Sequence, residues 1–224
     1  MEVLETYFYK LLIVILSYFI GSIPTGYFVY KVKKGGDIRN EGSGNVGGTN
    51  VARTVGTLFG IVTIIVDAAK GFLPVTIIYL TFPHDYLLLL FVSVAAILGH
   101  DFPIHLKFKG GKGVATSLGI VGAVCLLPFS SRSLWLRLLP LAIILGVALV
   151  VFLATKIVSV VSLSAALVGP VSFYVSRYPL LVVISCIIWS AIIFITHREN
   201  IRRLVRGEEK RIVREKTINK NINQ

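Results

Sequence analysis

The sequence predicts an all-α polytopic membrane protein with seven transmembrane helices. Three observations carry that expectation. Hydrophobic residues make up 55% of the 224 and the mean hydropathy is +0.81, whereas soluble domains are about 45–50% apolar. The excess is gathered in long runs almost free of charge, such as YFYKLLIVILSYFIGSIPTGYFVY and LLLLFVSVAAILG; about 20 such residues cross a bilayer as a helix. The lysines and arginines flank these runs, as residues that set membrane orientation do.

The runs place spans at 8–31, 55–80, 86–100, 113–129, 136–154, 157–175 and 179–196. Gly21 and Pro24 interrupt the first, and proline removes a backbone donor, so a kink is expected there. The third leads into HDFPIHLKF, which reads as an interfacial or re-entrant segment. Little more than Thr155 and Lys156 separates the fifth from the sixth, a tight helical hairpin. Residues 1–212 form one transmembrane domain and 213–224 a basic polar tail. The N-terminal MEVLETYFYK lacks the basic start of a signal peptide. Cys125 and Cys186 lie inside apolar runs without metal or redox spacing and are read as packing residues.

The net charge of +12 does not indicate nucleic acid, because the cations sit beside the spans. With the N-terminus outside, 18 of the 23 lysines and arginines fall on one side, which should be cytoplasmic. Three polar segments fall on that same side.

The first is GSGNVGGTNVAR, 42–53. Glycines let backbone amides approach an anion and form concave nests. Ser43, Asn45, Thr49 and Asn50 add donors, and Arg53, placed at the start of the second span, can take phosphate bidentately. The second is KGGKG, 109–113, feeding the fourth span, where a helix N-terminus and Lys112 suit a phosphate. It is not a P-loop, because Gly113 stands where Ser or Thr would bind magnesium. The third is HRENIRRLVRGEE, 197–209. Its arginines suit an anionic lipid surface; Asn200 and Glu209 suit specific hydrogen bonding instead. Asp67 and Lys70, one turn apart in the second span, can neutralise each other or serve a site. His100 and His105 have no carboxylate in a metal pattern, so no metal is expected. GxSxG and HxxxxD signatures are absent.

Taken together, GSIPTGY, GSGNVGGTNVAR, DAAKG, GHDFP with KFKGGKGVAT, and HRENIRRLVRGEE resemble the bacterial membrane-integral acyl-phosphate:glycerol-3-phosphate acyltransferases over residues 8–212. Val46, Gly48 and His105 depart from the family's usual Pro, Ala and aromatic. The resemblance implies transfer of a fatty acyl group from acyl phosphate to the 1-hydroxyl of glycerol 3-phosphate, giving lysophosphatidic acid and phosphate. It implies a cytoplasm-facing site in the bacterial membrane, among membrane lipids, with no coenzyme A, acyl-carrier donor or other cofactor. On this reading Ser43, Arg53 and the 42–50 loop (Gly42, Asn45, Gly47, Thr49, Asn50) hold one phosphate. Lys112 with Gly110, Gly111 and Gly113 holds the other or neutralises the leaving group. Asn200 and His197 orient glycerol 3-phosphate, with Glu209 as a further hydrogen-bonding residue. A small-anion transporter is the alternative, but it would place its polar groups at the bilayer midplane.

Overall fold

In a bilayer each backbone polar group must find its partner inside the protein, and helices satisfy this locally. The computed structural model describes residues 2–128 and 133–211; the end of the expected fourth span and the 213–224 tail lie outside them. The described residues form ten α-helices, two 3-10 turns and no strand. The helices are α1 (Glu2–Gly21), α2 (Thr25–Lys34), α3 (Gly48–Thr54), α4 (Thr57–Thr81) and α5 (Tyr86–Asp101). They continue with α6 (Val114–Leu126), α7 (Leu134–Thr155), α8 (Val158–Val175), α9 (Leu180–Thr196) and α10 (Arg198–Val205).

All seven apolar runs are helical. Five segments are long and apolar enough to cross a membrane, and a sixth joins them if α9 and α10, bent by 60°, count as one. Helix α6 has 13 residues, short of the roughly 20 that a full crossing needs. The first run breaks into α1 and α2 around Pro24, as its missing N–H dictates. At the hairpin Lys156 takes φ 56 and ends α7, and Val158 begins α8.

Glycine sets how closely the helices approach. A Cβ on Gly119 of α6 would lie 1.8 Å from the Ala68 carbonyl of α4, and one on Gly71 would lie 2.1 Å from the Thr116 carbonyl of α6. Gly21 and Gly99 do the same for α1 and α5: each Cβ would come within 2.1 Å of a carbonyl on the other helix, those of Ala96 and Tyr18. Small residues at such crossings let helices pack in lipid, where no hydrophobic force drives them together. Elsewhere the core is apolar, with Phe173, Ile78, Leu89, Val92 and Trp189 buried. The Trp189 indole donates to Ser93 Oγ at 2.9 Å, tying α9 to α5. Cys125 and Cys186 are buried in this core. Trp135, Leu149, Val150 and Leu153 of α7 are exposed, a lipid-facing surface.

At one end, Lys10 of α1 pairs with Asp85 at 2.7 Å, and Asp85 caps α5 through Leu88 N. The three polar segments converge at the other end. Replacing Gly119 by leucine should lower the melting temperature of the detergent-solubilised protein, because overpacking a close contact costs about 1–3 kcal/mol. Gly122→Ala, whose Cβ would meet nothing within 4 Å, should melt as the wild type does.

Candidate functional site

The first polar segment is held in shape by its own asparagine. Asn50 is 2% exposed. Its Oδ1 accepts from Ser43 N at 2.8 Å, and its Nδ2 donates to the Glu41 and Asn45 carbonyls. Asn45 Oδ1 in turn accepts from Gly47 N at 2.8 Å. Both side chains were expected to serve a ligand. Instead the Asn50 amide is fully used in folding the loop, and the Asn45 carbonyl oxygen is used the same way. The amides of Ser43 and Gly47 are occupied too, so the loop is not an open nest along its length. Arg39, bonded to Asp37 through both carboxylate oxygens, donates to the Leu106 carbonyl at 3.0 Å and joins this loop to the second segment.

After the loop the chain forms α3 before α4 begins. Arg53 is therefore in the last turn of α3, not at the start of the second span. Gly48 and Gly60 bring α3 against α4, since a Cβ on either would lie within 2.7 Å of the other's carbonyl oxygen. The Ser43 and Thr49 hydroxyls and the Arg53 guanidinium make no hydrogen bond or ion pair among the described residues, and all three line one cavity.

The second segment departs further from expectation. Gly110 N donates to the Asp101 carbonyl at 3.0 Å and Gly111 N to the His100 carbonyl at 2.9 Å. Neither amide is free for phosphate, and neither glycine lines the cavity. Their smallness serves contact: a Cβ on Gly110 would lie 2.3 Å from the His100 carbonyl oxygen. Gly113, at φ 67, precedes α6 and also stays outside the cavity. A Cβ there would lie 3.2 and 3.3 Å from the two carboxylate oxygens of Asp101, so a protein carboxylate packs beside Gly113. From this segment Lys112 alone of the expected ligands reaches the cavity.

In the third segment Lys112 Nζ donates to Asn200 Oδ1. Asn200 Nδ2 donates to Glu209 Oε1 at 2.6 Å, and Glu209 also accepts from Ser159 Oγ at 2.9 Å and Arg203 Nε at 2.6 Å. This chain of hydrogen bonds joins the second segment, α10, the residues that follow it, and α8. The His197 ring is buried, with Nδ1 2.8 Å from the Ile193 carbonyl. A carbonyl can only accept, so Nδ1 carries the proton and Nε2 keeps its lone pair.

The cavity, about 510 Å³, gathers Gly42, Ser43, Asn45, Gly47, Thr49, Asn50, Arg53, Lys112, His197, Asn200 and Glu209. Apolar side chains of α4, α6 and α8 (Ile64, Leu118, Val161) complete its wall, with Asp67 and His100 also reaching it. Burial pushes the Lys112 ammonium down to about 8; the Arg203 charge acts in the same direction, while Glu209 and Asp101 oppose it. Burial raises the Glu209 carboxyl, but hydrogen bonds from Arg203, Asn200 and Ser159 outweigh it and hold the group below its ordinary value.

A family model described as Glycerol-3-phosphate acyltransferase matches residues 11–207. The chain belongs to the glycerol-3-phosphate acyltransferase family. It is 41% identical to the Aquifex aeolicus glycerol-3-phosphate acyltransferase over 201 residues, covering 90% of this chain and 98% of that one. It is 42% identical to the Thermotoga petrophila enzyme of the same name over 200 residues, covering 88% and 94%. Its fold matches the crystal structure of PlsY, an integral membrane glycerol 3-phosphate acyltransferase, in the glycerol 3-phosphate form. There the TM-score is 0.81 and the identity 40%, over 91% of this chain and 96% of that chain. The lysophosphatidic acid form of PlsY matches with a TM-score of 0.78 and 39% identity, over 90% and 94%.

Within this acyltransferase fold Ser159, Ser162, Arg203 and Lys210 line the cavity although the sequence reading named none of them as a substrate ligand. Ser159 and Ser162 carry one usable signal: they are polar residues three apart on an otherwise apolar helix. Glu209, held below its ordinary value near 4.5, adds stability that is present above that value and lost as pH falls through the lower folded value. The Glu209→Gln variant should melt lower than the wild type at pH 7, and the gap should narrow below pH 4.5 in a pH series of thermal melts.

Proposed function

We propose that this chain transfers a fatty acyl group from acyl phosphate to the 1-hydroxyl of glycerol 3-phosphate, yielding lysophosphatidic acid and inorganic phosphate. One observation carries the reading. Three cations without a carboxylate bonded to them, Arg53, Lys112 and the exposed Lys210, line one cavity whose remaining wall is partly apolar. Each substrate carries a phosphate, and one also carries a hydrocarbon chain. The relative PlsY has been crystallised in a glycerol 3-phosphate form and in a lysophosphatidic acid form, a matching substrate and product.

The bond changes are few. The glycerol O1 attacks the acyl carbon and a new C–O bond forms. The bond from that carbon to the phosphate oxygen breaks, and phosphate leaves with the electron pair. Acyl phosphate is a mixed anhydride, so the protein needs no covalent nucleophile; positioning and charge stabilisation suffice. Ser43, Thr49 and Arg53 hold one phosphate and Lys112 the other. Asn200 presents Lys112 and orients glycerol 3-phosphate beside His197. The hydroxyl proton passes to a substrate phosphate oxygen. His197 Nε2, with its free lone pair, is the second reading for that step.

Charge supports an orientation with this site in the cytoplasm of a bacterium. Lysines and arginines crowd the site end, while Lys10, Arg137 and Arg177 lie towards the other. Most of the polar groups gather at helix ends, and of the described charged residues Asp67 and Lys70 alone lie deeper, inside α4, which disfavours a transporter.

Purified protein given acyl phosphate should release phosphate only when glycerol 3-phosphate is added. Vectorial uptake into vesicles without chemistry would overturn the reading. Arg53→Ala and Lys112→Ala should each lose about 10²–10³-fold in rate, the effect of removing one preorganised donor, while still inserting in the membrane. For His197→Gln, substrate assistance predicts a retained rate; a collapse with unchanged substrate binding assigns the proton to His197.

The ammonium form of Lys112 binds phosphate, and in the free protein that form is lost above about pH 8. The kcat/KM for the substrate it holds should therefore fall as pH rises through about 8. A bound dianion stabilises the ammonium, so the corresponding fall in kcat should appear at higher pH.

A further inference from the structure

Beneath the Lys112 loop lies a buried polar group that the proposed chemistry does not use. Lys70 pairs with Asp67 at 2.5 Å, and its ammonium also donates to the Ile23 carbonyl at the break between α1 and α2. Thr116 of α6 donates to the Asp67 carbonyl at 3.0 Å. The His100 ring stands next, with Nδ1 3.9 Å from Asp67 Oδ1. All three ionisable residues are at most 8% exposed. Charges at this depth are costly, and in membrane proteins they mark function by default.

The far side of the same ring faces Gly111. A Cβ there would fall 1.9 Å from His100 Nε2, 2.6 Å from Cδ2 and 2.9 Å from Cε1. Gly111 does not take a positive φ, so contact with the imidazole, and not backbone strain, excludes a side chain. The His100 carbonyl also accepts the Gly111 amide. The ring and main chain of one residue thus hold the residue just before Lys112, from two directions.

We infer that His100, backed by Asp67 and Lys70, is a positioning residue that sets where Gly111 lies and so where Lys112 meets phosphate. The cluster fixes the loop to α4, α5 and the α1–α2 break, and Asn200 fixes the tip of Lys112 from α10. The groups around the Lys112 ammonium are Asn200, Arg203 and Glu209 from the third segment and Asp101 from α5. Moving the loop changes its distance from all of them. The inference rests on the phosphate-binding role proposed for Lys112.

The test uses the full chain in proteoliposomes, with phosphate release measured across pH for Gly111→Ala, His100→Ala, the double variant and Asp67→Asn. A displacement near 1 Å costs about 10²-fold. Gly111→Ala should therefore lose about that factor in kcat/KM, and its alkaline limb should move from that of the wild type. His100→Ala removes the obstructing ring, so the double variant should exceed Gly111→Ala and approach His100→Ala. Asp67→Asn changes no volume and should also move the alkaline limb; it decides the matter if Gly111→Ala is not recovered folded. Losses that multiply in the double variant, or unmoved limbs with only less active protein, overturn the inference. Failure of the wild type to release phosphate on addition of glycerol 3-phosphate would sink the functional reading itself, a separate result.

Discussion

Asn200 is the point on which the site depends. Its single amide accepts from Lys112 and donates to Glu209, so it joins a cation from one segment to an anion 97 residues farther along the chain. Each partner is held by geometry that the other two require. Glu209 is fixed by Ser159 of α8 and Arg203 of α10, and Lys112 projects from a loop whose amides are tied to α5. A neutral amide between opposite charges keeps Lys112 from collapsing into an ion pair. On the proposed reading the ammonium stays oriented yet available to a substrate phosphate, which bonds it more strongly.

The electrostatic logic follows from that separation. Acidic groups stand close to the cavity, but they are committed elsewhere. Asp67 is paired with Lys70, Glu209 with Arg203, and Asp37 with Arg39. Asp101 is buried outside the cavity wall. The unpaired charge facing the cavity is therefore positive, as two phosphate-bearing substrates require. Apolar side chains of α4, α6 and α8 lower the local polarity, which strengthens that field, and offer a place for hydrocarbon. The glycine-mediated contacts between α4 and α6 and between α3 and α4 hold the wall and the Arg53 helix in one rigid relation.

Much of this was legible along the chain. Apolar runs read directly as helices, because in lipid the backbone has few other ways to satisfy its hydrogen bonds. The break at Pro24 and the hairpin at Lys156 follow from local chemistry alone. Cations and hydroxyls at the site were legible because Arg53, Lys112, Ser43 and Thr49 all stand in polar, glycine-rich segments between the apolar runs.

What those segments do with their remaining polar atoms was decided only in three dimensions. Asn50 and Gly47 look like ligands in a motif, but the loop uses them to satisfy itself. Gly110 and Gly111 look like a phosphate cradle, but their amides face His100 and Asp101. Ser159 and Arg203 belong to no cation motif of the first two segments, and reach the site because α8 and α10 pass beside it. The sequence by itself determined the membrane-spanning helices, the family and the charged groups available, since each depends on local composition and order. Tertiary structure alone decided which donors stay free for substrate. A hydrogen bond between residues far apart in sequence depends on where the helices bring them, and that placement is set by packing across the whole bundle.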